Sequence, residues 1–215
     1  MKKPPITIKD IARALSISPS TVSRALKNHS DISQDTKDVV NQYAKEHNYK
    51  PNTLALSLRM SKNNTIGVIV PEIVHYFFSS ILSGIEQVAD AEGYNVILCQ
   101  SDESYEKEVR NTRALVATRV SGVLASLAKH TTNYDHFQEI IESDIPLVFF
   151  DRICIGINTD RVVVDDYAGA FAAVEYLIQS GCKRIAFFSS PPQLEISKNR
   201  KNGYLDALRK YGLKV

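Results

Sequence analysis

From residue 65 onward, short unbroken apolar runs alternate with longer stretches whose apolar residues recur every three to four positions. The runs fall at 66–70, 95–99, 122–125, 146–150, 162–164 and 184–188. A run that is apolar at every position predicts a strand buried on both faces. The stretches between them predict helices over 77–92, 105–118, 134–143, 167–180 and 200–211, with Gly93 and Gly181 as stop signals. Repeated strand–helix units imply a parallel sheet with right-handed crossovers and helices on both faces, a doubly wound α/β body.

The first 60 residues obey a different rule. Thr7 and Asp10 are spaced as a capping box, and Ile11, Ala12 and Leu15 follow at helical spacing. Ser18-Pro19 is a second start signal, a hydroxyl N-cap with proline at the first helical position, ahead of Val22, Ala25 and Leu26. Ser33 can cap a third helix with Val39, Val40, Tyr43, Ala44 and His47 on one stripe, and Pro51 closes it. Two short helices joined by a tight turn, the second rich in small polar residues, describe an all-α helix-turn-helix head. Residues 52–60 are apolar and helix-capable but too short to hold a helix alone in water. The polar stretch 61–64 marks the boundary between head and body.

Charge supports the division. Residues 1–62 carry 11 Lys/Arg against 5 Asp/Glu, whereas the rest carries 15 against 19. A basic head on a mildly acidic body points to a polyanion as the head's partner. In a helix-turn-helix the N-terminal residues of the second helix meet base edges in the major groove. Here these are Pro19, Ser20, Thr21 and, a turn on, Arg24, the residue type that reads guanine through two hydrogen bonds. The hydroxyls of Thr7, Ser18, Thr21 and Ser23 suit phosphate contacts.

The stretches 7–12 (TIKDIA) and 18–26 (SPSTVSRAL), then Asn48 to Asn52, Ala55, Leu58 and 65–70, closely resemble the lactose-repressor (LacI/GalR) family. The resemblance implies a DNA-binding domain over 6–60, with a hinge helix at 52–60 in which Asn52, Ala55 and Leu58 meet the minor groove, Leu58 as a wedge. It assigns base contacts to Pro19, Ser20 and Arg24. It also implies a homodimer on a pseudo-palindromic operator, and repression controlled by a small-molecule effector such as a sugar or related metabolite.

The body resembles the same family's effector domain, itself similar to periplasmic sugar-binding proteins, through 93–95, 119–123, 164–170 and 181–186. That implies two lobes, a first over 64–160 and part of a second over 161–215, around a ligand at the carboxyl ends of the strands. Residues just past predicted strands become pocket candidates: Tyr76, Phe77, Asp102, Asp151, Arg152, Lys198 and Arg200. Three departures bear on the ligand. Cys182 stands where the family usually has histidine, Ser190 where glycine is usual, and Leu194 and Ile196 where some members carry polar contacts. Family members also continue well past the length of this sequence, so the sequence reads as truncated within the second lobe.

Other classes fit less well. No Gly-x-Gly-x-x-Gly or phosphate-binding loop follows the first strand, where 71–75 reads PEIVH instead. The five histidines (29, 47, 75, 130, 136) lack metal-ligand spacing, and the three cysteines are scattered. The reading is therefore a binding protein without metal or cofactor, not an enzyme. No secretory signal or membrane span is recognisable, which places it in the cytoplasm and argues against a periplasmic receptor.

Overall fold

A computed structural model describes residues 6–49, 64–190 and 192–214. It divides into two compact units, Met1–Ser61 and Lys62–Val215.

The head contains α1 (Ile8–Ala14), α2 (Pro19–Leu26) and α3 (Gln34–Glu46). Each starts on a side-chain cap: Thr7 with its reciprocal Asp10 bond, Ser18 followed by Pro19, and Ser33. Ile11, Ala12, Val22, Ala25, Val40 and Ala44 form its core. Burial of these six small and β-branched side chains holds three helices that are each too short to persist alone.

The body is a five-stranded parallel sheet in the order β2-β1-β3-β4-β5. Its strands are β1 (Thr65–Val70), β2 (Asn95–Gln100), β3 (Gly122–Ala125), β4 (Leu147–Phe150) and β5 (Asp160–Val162). Its helices are α4 (Tyr76–Ala91), α5 (Tyr105–Thr118), α6 (Asp135–Glu142), α7 (Asp166–Gln179) and α8 (Glu195–Lys210). Alternate residues of β1 serve opposite faces. Ile69 packs with Leu115, Phe137 and Phe149 beneath α5 and α6, whereas Val68 and Val70 pack with Phe78 and Leu82 of α4.

Three expectations are corrected. The run 184–188 is not a strand. A strand exists through its ladder, and no described segment pairs with it; Tyr204 instead donates its hydroxyl to the Ile185 carbonyl, and Phe188 is exposed. The run 162–164 contributes only Val162 to β5, which begins at Asp160 and pairs in parallel with β4. Finally, α8 begins at Glu195 rather than Arg200, because its first turn carries the buried Ser197 and follows the buried Leu194.

Candidate functional site

The candidate recognition surface of the head starts at the α2 N-terminus. Ser18 Oγ accepts from the Thr21 amide at 3.0 Å and lies 2.7 and 2.8 Å from the Ser20 and Thr21 hydroxyls. Ser18, Pro19, Ser20 and Arg24 are exposed, and Thr21 and Ser23 are half-buried. Val22 and Ala25 point the other way, into the core. Thr7 is exposed but engaged in its capping box with Asp10, at 3.0 Å from its amide and 2.6 Å from its hydroxyl. Asp31, which sequence reasoning passed over, accepts from Arg24 Nη1 at 2.6 Å. Slight burial works against ionisation of Asp31, but the neighbouring Arg24 guanidinium, with His29 behind it, holds the carboxyl below its ordinary range. Asn52, Ala55 and Leu58 lie outside the described residues.

The body's cleft follows from sheet order. The chain leaves β1 to one side for β2 and returns on the other for β3, so a crevice opens at the carboxyl ends beside β1. A cavity of about 350 Å³ lies there, lined by Phe77 and Phe78 after β1, Lys129 after β3, and Asp151 and Arg152 after β4. Ser190, Leu194, Ile196 and Arg200 complete the lining. Of the sequence candidates, Phe77, Asp151, Arg152 and Arg200 therefore share one cavity. Tyr76 is exposed outside it, Asp102 is bonded to Gln100 and Lys107, and Lys198 is paired with Glu195.

The cleft's cations have carboxylate partners. Glu103 takes two 2.9 Å bonds from Arg152 Nη1, one of 2.7 Å from the Lys129 amide, and a 3.3 Å ion pair from Lys129 Nζ. Burial pushes Glu103 up, but these donors outweigh it and hold the carboxyl below its usual range. Arg200 Nε donates to Asp166 at 2.6 Å. Asp151 is the exception. It has a left-handed backbone (φ 56°), and its nearest cation, Arg152 Nε, is 3.9 Å away. Burial raises its carboxyl above the usual range, against the pull of Arg152 and Arg200. A half-desolvated carboxylate of this kind is an acceptor ready for donors from a ligand.

Sequence reasoning also missed what supports the Lys129 wall. Glu108 of α5 is fully buried and accepts from the Ala128 amide at 2.7 Å, the Thr131 hydroxyl at 2.6 Å and His136 Nε2 at 3.0 Å. His136 Nδ1 has no hydrogen-bond partner among the described residues. The signal was present: Glu108 lies four and seven residues before Thr112 and Leu115, on the buried stripe of α5. Among the described residues, no group of three or more His, Cys, Asp or Glu could hold a metal ion, and no helix is long and apolar enough to cross a membrane.

A helix-turn-helix head preceding a doubly wound body with a strand-end cleft is the plan of a bacterial regulatory protein with a sugar-binding-type domain. Residues 7–52 match the family described as bacterial regulatory proteins, lacI family, and residues 63–215 match periplasmic binding proteins and sugar binding domain of LacI family. The chain belongs to the LacI family. It is similar to the ribose operon repressor of Halalkalibacterium halodurans, 34% identical over 202 residues, covering 94% of this chain and 59% of that protein. It therefore spans about three-fifths of that relative's length. Its fold matches the lac repressor dimer bound to operator and the anti-inducer ONPF, with TM-score 0.80 at 23% identity over 98% of this chain and 64% of that one. It also matches a periplasmic binding protein/LacI transcriptional regulator from Alkaliphilus metalliredigens complexed with D-xylulofuranose, with TM-score 0.63 at 32% identity over 71% of this chain and 55% of that one.

Proposed function

We propose that this chain is a sequence-specific DNA-binding transcriptional regulator, a repressor, that a small uncharged sugar-like effector controls. The observation that carries the reading is the exposed, capped start of α2, with Pro19, Ser20 and Arg24 on the side opposite the head's core. Arg24 reads a guanine, and Thr7, Ser18, Thr21 and Ser23 meet phosphates. In this reading 6–60 is the DNA-binding domain, with Leu58 as the minor-groove wedge and Asn52 and Ala55 beside it. The protein works as a homodimer, because two-fold symmetry in the protein mirrors a pseudo-palindromic site. An apolar groove on the body, lined by Ile66, Ile81, Ile85, Val88, Tyr94 and Leu124, supports the pairing, since Val88 is 66% exposed there.

The effector occupies the cleft. Lys129, Arg152 and Arg200 face Glu103, Asp166 and Asp151, so the cavity is close to charge balance and favours a neutral polyol over an anion. Asp151 accepts its hydroxyls, and Phe77 and Leu194 pack on its apolar face. By linkage, the ligand shifts DNA affinity according to the state it favours. The test is selection of bound duplexes from randomised pools at two salt concentrations. Enrichment of a short palindrome supports the reading. Uniform, steeply salt-dependent binding overturns sequence-specific recognition and leaves only charge attraction.

A further inference from the structure

Arg24 does not stand alone on α2. Its Nη1 donates to Asp31 Oδ2 at 2.6 Å, and its Nε reaches the Ser20 carbonyl, one turn back, at 3.5 Å. The other oxygen of Asp31 lies 3.0 Å from His29 Nδ1. Asp31 comes from the loop between α2 and α3, so the contact is tertiary and owes nothing to helical spacing. The Arg24 and Asp31 side chains remain 46% and 45% exposed, and an ion pair that open to water adds little to stability. Its consequence is for the order and charge of the one arginine on the recognition helix.

We propose that Asp31 is a positioning and specificity residue for DNA recognition, which orients the Arg24 guanidinium and restrains its attraction to DNA of any sequence. The inference rests on the reading of Arg24 as a base reader. A guanidinium has five N–H donors, and reading guanine takes two adjacent ones. Asp31 engages one N–H of Nη1 and leaves both N–H groups of Nη2, so two adjacent donors remain as a fork. Holding that fork before DNA arrives lowers the rotamer entropy lost on binding. The same carboxylate cancels much of the arginine's charge and repels nearby phosphates. Phosphate attraction alone then gains little, and the arginine contributes fully only where the guanine acceptors complete the fork.

The experiment uses the 215-residue chain and duplexes selected from a randomised pool. Arg24→Ala first identifies the base pair whose preference it relaxes. Anisotropy titrations of Asp31→Asn and Asp31→Ala then compare the selected duplex, its variants at that base pair, and random duplex. Discrimination at that base pair should fall about five- to ten-fold in both variants. Affinity for random duplex should rise about two- to five-fold, with thermal melts unchanged. Unaltered preference at that base pair overturns the proposal. So does equal weakening on every duplex, which is what a role in folding or docking alone would give. If Arg24→Ala relaxes no base pair, the base-reading assignment fails first and this proposal with it.

Discussion

Replacing Glu108 with alanine removes the acceptor shared by three buried donors: the Ala128 amide, the Thr131 hydroxyl and His136 Nε2. Glu108 is 0% and His136 1% exposed, so water does not stand in for the lost carboxylate without rearrangement. Each stranded donor costs about 1–3 kcal/mol. The simple total overshoots, because the Thr131 hydroxyl can rotate and the vacated space can admit water. Three stranded donors near the lower end of that range together cost about 4 kcal/mol. Domains are stable by only about 5–15 kcal/mol, so the body stays folded by a narrow margin. With a urea slope of about 2 kcal/mol per molar, the unfolding midpoint falls by about 2 M. Circular dichroism and tyrosine fluorescence both report it, and the chain has no tryptophan to complicate the latter. Glu108→Gln recovers about half of the loss, since its oxygen can serve the Ala128 amide while its NH₂ meets the donor at His136 Nε2. A fall of less than about 0.5 M in the alanine variant would falsify the argument, because the three donors would then have found other acceptors.

Three further outcomes are expected. Ser18→Ala removes the cap on the Thr21 amide and costs the head about 1 kcal/mol, measurable as a lower melting temperature that Ser18→Asp restores; no change would mean the cap is redundant. Gly203→Ala places a methyl onto the Tyr167 carbonyl oxygen and within 3.0 Å of the Phe171 amide. It should separate α7 from α8 and destabilise the body by about 1–3 kcal/mol in urea unfolding, and an unchanged midpoint would show that the crossing yields freely. For Asp151, burial raises the folded carboxyl's affinity for a proton above that of the unfolded chain. Its stabilising contribution is full below the ordinary carboxylate range and is lost as pH rises through the raised value. Asp151→Asn should therefore gain stability over the parent between acid and neutral pH, and a pH-independent difference would refute the assignment.

The parts of the fold that local chemistry controls could be read from the chain. Ser18-Pro19 announces α2, and the unbroken apolar run of β1 announces a strand covered on both sides, whereas the run of β2 forms an edge strand that is only partly covered. The parts that depend on distant partners could not. The 184–188 run has the composition of a strand but lacks a ladder partner among the described residues. Asp102, placed by the strand-end rule in the cleft, is drawn instead to Lys107 one turn into α5, whereas its neighbour Glu103 reaches Arg152, 49 residues away. Lys129 and Phe78 escaped notice because a lysine in a loop and a phenylalanine on a helix have commoner duties on the surface and in the core. Arg24 was legible as an exposed donor on α2; that Asp31 already holds it was not, because the loop's path is a tertiary fact.

The crossing of α7 and α8 has a mechanical meaning. Backbone meets backbone at Gly203, with no side chain to act as a cushion, so the two helices behave as a single stiff beam. Arg200 sits one turn from that contact on α8 and is bonded to Asp166, in the first turn of α7. Any molecule in the cleft that tugs on Arg200 therefore loads both helices at once. Such a load would reach the sheet through the short 163–165 connection between β5 and α7, and through the bond that Gln193, just before α8, donates to the Lys129 carbonyl.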